Sequence, residues 1–351
     1  MPHAVRAIAL LLSCTLLNAC ASPRDTVSPR EAAAPFRESV GRVVAFDPAF
    51  HALVPKDARI EKIADGFTWS EGPAWIQDGH YLLFNDVPAN TMHRWSETDG
   101  VSVFLKPSGY AGPDLDGLRE AGANGLEAEP AGPVLLADSG SRLIARFDPA
   151  TKRRTTLAAT FEGKRFNSPN DIARRSDGTV FFTDPPYGLK DIDESPLKEQ
   201  PVNGVYRLDA DGSVHLIEGA LKFPNGVALS PDERTLYVAN SDRDHPVWMA
   251  YRIDARGEVL DRRVFADATD LASAAEGAPD GLCIARDGHL FASAPGGLLV
   301  MDADGKRLGM IETGARVSNC AFGDDGRTLY LTSHAFVARV RVNLPGVGFA
   351  P

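Results

Sequence analysis

The chain has 351 residues, 44% of them hydrophobic and 24% charged, with a formal net charge of −10. This balance is ordinary for a soluble globule and excludes a polytopic membrane protein or a disordered chain. A pI near 5.3 also makes the chain a poor nucleic-acid binder.

The N-terminus carries one basic residue, Arg6, then an apolar stretch over residues 7–17, then the small residue Ala19 before Cys20. Residues 1–19 are therefore predicted to be a secretory signal, since the apolar stretch is too short to span a membrane. Leu17-Asn18-Ala19-Cys20 resembles the bacterial lipobox, in which the cysteine becomes the lipidated first residue. Ala21-Ser22 has no acid, which by the same resemblance points to outer-membrane sorting. The alternative is a plain signal with a chance cysteine. Residues 20–45 are expected to be the lipidated Cys20 and a flexible tether rich in Ala, Pro, Ser and charge. The expected location is the bacterial cell envelope, in the periplasm, with membrane attachment through the lipid alone.

Residues 47–54 are predicted as a short helix outside the main fold, and residues 59–63 alternate as a strand. Beyond them one phrase recurs, in which a short acid or amide and a small residue open an apolar strand. It appears around Glu71, Asn124, Asn170, Asn225, Asp280 and Asn319. Six units of roughly 40–55 residues, each a set of short strands, predict an all-β, six-bladed β-propeller of four-stranded antiparallel blades over residues 46–351. The 32 Gly and 25 Pro supply the turns this needs. The fifth unit parses as strands 281–285, 289–293, 297–302 and 306–311. The sixth yields only three, at 320–322, 328–332 and 335–342. Strand 59–63 is therefore expected to close the ring on the last blade, which protects the sheet edges.

In such a ring the six anchors enter the innermost strands at one mouth of the central channel. Three long connections, 106–123, 185–203 and 267–279, overhang the same mouth and are read as a lid or pocket wall. The mouth then holds two carboxylates and four amides. Oxygen-only donors suit a hard cation, Ca²⁺ first, with Mg²⁺, Mn²⁺ or Zn²⁺ as alternatives. Asp86, Asp138, Asp184 and Asn240 end second strands on this side. Asp184 is the expected substrate contact and the others are expected turn residues. His334 is a weaker candidate at the mouth. Asp209-Ala210-Asp211-Gly212 and Asp302-Ala303-Asp304-Gly305 lack the remaining ligands of a calcium loop and read as hairpin turns. No nucleophile elbow, P-loop, zinc-protease or dinucleotide motif is present. Cys283 and Cys320 sit in apolar runs and read as buried small hydrophobes, with a disulfide left open by the oxidising compartment.

Several motifs taken together, Ser70-Glu71-Gly72-Pro73-Ala74-Trp75, Asn167-Ser168-Pro169-Asn170-Asp171, residues 183–188, Phe223-Pro224-Asn225-Gly226 and Pro279-Asp280-Gly281-Leu282-Cys283, resemble the gluconolactonase and regucalcin (senescence marker protein) family. The likeness is nearest to its bacterial gluconolactonase branch. The resemblance implies a divalent cation on Glu71, Asn225 and Asp280, with Asn170 a ligand or a substrate contact and Asn124 near the substrate. The animal branch has an arginine where Ser168 stands, so that contact does not transfer. The expected activity is metal-dependent hydrolysis of a sugar-derived lactone, with Asp280 both a ligand and the base that directs water. The alternatives are a phosphotriesterase-like hydrolase and a non-enzymatic ligand-binding propeller. The expected partner is a small-molecule lactone, and the expected state is a monomer.

Overall fold

The computed structural model describes Met1, residues 37–130 and residues 132–350. Nearly all of the predicted leader, Cys20 and most of the tether lie outside the described residues. Among those described, no helix is long and apolar enough to cross a membrane.

Six antiparallel sheets form a six-bladed β-propeller. Blade one comprises Ser70–Ile76, Tyr81–Asp86, Thr91–Ser96 and Gly100–Leu105. Blade two has Leu126–Ala128, Val134–Asp138, Leu143–Phe147 and Arg154–Ala158, and blade three has Ile172–Arg174, Val180–Asp184, Gly204–Leu208 and Val214–Glu218. Blade four runs Pro224–Leu229, Thr235–Asn240, Val247–Ile253 and Val259–Asp267. Blade five runs Leu282–Ile284, Leu290–Ala294, Gly297–Met301 and Arg307–Glu312. Blade six takes Asn319–Gly323, Thr328–Ser333 and Phe336–Arg341, and Ile60–Asp65 pairs antiparallel with the last of these, Ile60 opposite Val340. The N-terminal strand thus closes the ring as its alternation predicted. Apolar clusters fill the space between neighbouring blades. At the closure, for example, Trp75 of blade one stacks on Tyr330 of blade six at 5.3 Å.

Two N-terminal expectations need correction. The tether does not extend to residue 45. Arg42–Ala45 adds a fifth, outer strand to blade five, with Val43 opposite Ile311. The unpaired edge there accepts a strand because residues 43 and 44 are β-branched. The short helix is Phe50–Leu53, and it packs inward, with Phe50, Leu53 and Val54 joining the core between blades five and six. Three apolar side chains on one turn are enough to bury it.

The glycine that follows four of the six anchors, at Gly72, Gly125, Gly226 and Gly281, has a steric cause. Inner strands approach one another most closely at the channel, where one blade's backbone nestles against the next. A Cβ on Gly72 would lie 2.0 Å from the Asn124 carbonyl oxygen, and one on Gly226 would lie 2.2 Å from that of Asp280. Only glycine permits this contact.

Cys283 and Cys320 are joined as a disulfide, with Cα atoms 5.8 Å apart, linking the inner strands of blades five and six. The reading of two separate buried hydrophobes is corrected accordingly. The two strands are neighbours in the ring, so the sulfurs meet despite 37 residues between them.

Candidate active site

Each anchor stands at or just before the start of an inner strand. Glu71 is buried. Its Oε2 accepts the Gly72 N–H at 3.1 Å, and its Oε1 accepts the Trp69 indole N–H at 3.3 Å. Asn225 donates an amide N–H to the Ser241 hydroxyl at 3.0 Å. Asn170 is fixed by its backbone, donating to the Thr183 carbonyl at 2.9 Å and accepting from the Gly125 N–H at 2.7 Å. Asp280 donates its N–H to Ser293 at 3.2 Å. The Asn124 carbonyl takes the Asn85 amide at 2.7 Å, while its own Oδ1 is buried without a hydrogen-bond partner among the described residues. Asn319 turns to its own strand, where its Oδ1 accepts the Cys320 N–H at 2.8 Å.

Burial and like charge act together on the carboxyls of this region. Burial first, then the charges of Asp280 and Asp171, hold the Glu71 carboxyl well above its ordinary range. Burial first, then Asp171 and Glu120, do the same to Asp280, while the Arg316 guanidinium pulls it partly back. Such mutual repulsion in a low-dielectric site is relieved by a cation or by protons. Among the described residues no group of three His, Cys, Asp or Glu is placed to hold a metal. The donors here are instead two carboxylates, Glu71 and Asp280, with the amides of Asn170 and Asn225. The oxygen-only set, the opposed carboxylates and the orphaned Asn124 oxygen fit a hard divalent cation.

Asp171 is a channel residue that the repeat reading passed over. Its Oδ2 accepts the Val227 N–H at 3.1 Å, and burial pushes its carboxyl up to about 6. Its place directly after Asn170 was the available signal.

Asp184 is not a substrate contact. It is fully buried, at 0% exposure, and its two oxygens accept the N–H groups of Asn167 at 2.7 Å and Ser168 at 2.9 Å. It clamps the segment leading to Asn170 and has no free face for a ligand. Asp86 does the same for blade one, accepting from Thr68 at 2.8 Å and Trp69 at 3.2 Å. Asn240 accepts from Phe223 at 3.0 Å in blade four. Asp138 accepts the Ser141 N–H at 2.9 Å and pairs with Arg154. The residue ending the second strand is thus a recurring holder of nearby backbone.

Two of the long connections meet above the mouth. Leu118 pairs with Leu189, and the Arg119 N–H donates to the Gly188 carbonyl at 2.9 Å. Tyr187 stacks on Phe223 at 5.5 Å, under the Arg119 guanidinium at 6.0 Å. Arg119 also donates to Glu120 at 2.9 Å. The Tyr187 hydroxyl is raised above its ordinary value by burial and next by the charge of Asp280. Burial pushes Glu120 up to about 7 against the pull of Arg119. Ser168 is consumed by the same loop, donating to Pro185 at 2.5 Å and accepting from Gly188 at 2.8 Å. The ring of His334 packs edge-on against Trp69 at 5.4 Å, at the same mouth. A cavity of about 600 Å³, bordered by Ile172, Cys283 and Phe322, reaches Asp171 and Asn319 but is not lined by Glu71, Asn170, Asn225 or Asp280.

Fold and site together define a six-bladed propeller with an oxygen-donor centre at one mouth of its channel. The chain belongs to the SMP-30/gluconolactonase/LRE-like family, whose profile matches residues 69–335. It is 45% identical over 313 residues to a gluconolactonase from Zymomonas mobilis, covering 88% of each chain. A solved gluconolactonase from Xanthomonas campestris is 32% identical, with a TM-score of 0.75 over 88% of this chain and 98% of that one. A pentonolactonase from Haloferax volcanii is 26% identical over 272 residues, 75% of this chain and 80% of that one.

Proposed function

We infer that the protein is a lactone hydrolase that opens a sugar-derived lactone to its hydroxy acid, using a divalent cation at the channel mouth. The observation that carries this reading is the set of Glu71, Asn170, Asn225 and Asp280 at equivalent entries to the inner strands, with both carboxyls raised by burial and by neighbouring acids, in a family whose near relatives are lactonases. The phosphotriesterase and binding-protein alternatives gain no support from these relatives.

Glu71, Asn225, Asp280 and Asn170 would hold the cation, with Ca²⁺ the first choice by donor type. When bound there, the cation supplies Lewis-acid polarisation of the lactone carbonyl. Asp280 takes a proton from the attacking water as the new C–O bond forms at the carbonyl carbon. The ring C–O bond then breaks, and that proton passes to the departing ring oxygen, giving the open hydroxy acid. Glu71 is kept in place by Gly72 and Trp69, and Asn124 and Asn170 face the substrate's oxygens. The paired loops carrying Leu118 and Leu189 shield the site from bulk water. The proposed setting is the bacterial envelope, with the protein anchored through lipid on Cys20.

The test is a lactone panel assayed by acid release, after chelation and after adding back each cation. Metal-dependent turnover of an aldonolactone is expected. Tight cation binding with no turnover of any lactone would overturn the reading in favour of a binding propeller.

A further inference from the structure

Arg316 stands in the connection between blades five and six, over the sector flanked by Asp280 and Glu71. Its backbone is braced from two sides. Ser333 donates its hydroxyl to the Arg316 carbonyl at 3.3 Å, and Thr313 and Ser333 share a 2.7 Å hydrogen bond. Two residues on, Ser318 donates to the Ser70 carbonyl at 2.6 Å, tying the connection to blade one. The guanidinium carbon lies 5.0 Å from the centre of the Trp69 ring. That ring is itself held edge-on by His334 and bonded to Glu71. The arginine is therefore oriented by stacking on a fixed platform. Arg119, by contrast, is paired with Glu120 at 2.9 Å. Among the described residues Arg316 is exposed and forms no salt bridge, which leaves its planar fork of donors open to the mouth.

We propose that Arg316 is a specificity-determining residue of this site, which binds the vicinal hydroxyl or carboxylate oxygens of a polyhydroxylated lactone and its aldonate product. The proposal rests on the lactone-hydrolase reading and adds to it the residue that selects the hydroxylated substrate. A guanidinium already held over an indole ring loses little freedom on binding, so its hydrogen bonds translate into selectivity. A lactone without hydroxyls offers it nothing in the ground state.

The experiment compares wild type, Arg316→Met and Arg316→Lys with glucono-1,5-lactone and with δ-valerolactone, which has the same ring without hydroxyls. Arg316→Met is expected to raise KM for the gluconolactone roughly tenfold, the worth of a charge-assisted hydrogen bond. KM for δ-valerolactone stays within about twofold by the same reasoning. Arg316→Lys falls between, because it keeps the charge and loses the fork. The thermal shift caused by added Ca²⁺ is measured on all three and is expected to be kept by both variants, and to grow somewhat in Arg316→Met because a positive charge near Asp280 is gone, which keeps a damaged centre from passing as lost selectivity. An equal change for both lactones, or no change for either, overturns the proposal. Calorimetric titration with gluconate gives a readout that needs no turnover. If wild type hydrolyses neither lactone, the lactonase reading fails, and tenfold weaker gluconate binding by Arg316→Met still upholds the role of Arg316. Gluconate binding that is absent in wild type, or unchanged by the substitution, overturns it.

Discussion

Asn225 in blade four is tied to the residue before Asp280 in blade five through one hydroxyl. Its amide N–H donates to Ser241 at 3.0 Å, and Ser241 donates in turn to the Pro279 carbonyl at 2.5 Å. With its nitrogen engaged, the Asn225 oxygen is the end left for the channel. Ser241 thus sets the orientation of one proposed ligand and the position of another. Such supporting groups tune metal sites strongly. Ser241→Ala is expected to weaken Ca²⁺ binding by about tenfold or more while leaving the fold unchanged, as read by calorimetric titration and circular dichroism. Unaltered affinity would remove Ser241 from the site.

Asp184 serves the same end by different means. Both its oxygens hold the backbone entering Asn170. Asp184→Asn replaces one acceptor with a donor that faces a backbone N–H. A buried group left unpaired costs about 1–3 kcal/mol, so a loss of that size is expected in urea unfolding, together with lower turnover from a displaced Asn170. Stability equal to wild type would contradict the clamp.

The disulfide between Cys283 and Cys320 closes a loop across two blades. Changing both cysteines to serine should lower stability by about 3–4 kcal/mol on the loop-closure account. A reducing agent should do the same to wild type and nothing further to the double variant. Equal unfolding midpoints for the two proteins under oxidising conditions would mean that the bond adds nothing.

Two acids, the buried Glu120 and the half-buried Glu127, give the metal-free protein a definite pH dependence. Burial, and next Asp171, push Glu127 up to about 8, and burial pushes Glu120 up to about 7. The native state therefore keeps protons that the unfolded chain has lost above its ordinary value of 4.5. This contribution to stability is complete below that value and disappears as pH rises through 7 and 8. In chelator, the urea midpoint should be higher at pH 5.5 than at pH 8.5, and Glu127→Gln should flatten the difference. A midpoint that rises with pH would contradict the burial of these acids.

The propeller was legible because its anchors repeat. An inner strand must bring a short polar side chain to the channel and a glycine to the next blade's backbone, and both leave marks at Glu71-Gly72, Asn124-Gly125 and Asn225-Gly226. The closing strand was legible from the missing fourth strand of blade six. Asp184 misled because a clamp and a ligand are the same residue type at the same strand end, and only the two backbone N–H groups tell them apart. The disulfide depends on which inner strands are neighbours in the ring, and spacing along the chain does not carry that. Arg316 and Tyr187 belong to connections with no repeated pattern, so their place at the mouth follows from the loop path alone. The strand at Arg42–Ala45 was hidden by a polar, proline-bearing neighbourhood that reads as tether.

The most direct test of the account is the turnover of glucono-1,5-lactone by Asp280→Asn beside wild type, both with saturating Ca²⁺ and with cation occupancy measured on the same samples. A folded, cation-loaded variant whose kcat falls by roughly a hundredfold or more, the usual worth of a general base, is the predicted result. Undiminished turnover in a folded, loaded Asp280→Asn protein would contradict the assignment of this channel mouth as the hydrolytic centre with Asp280 as its base.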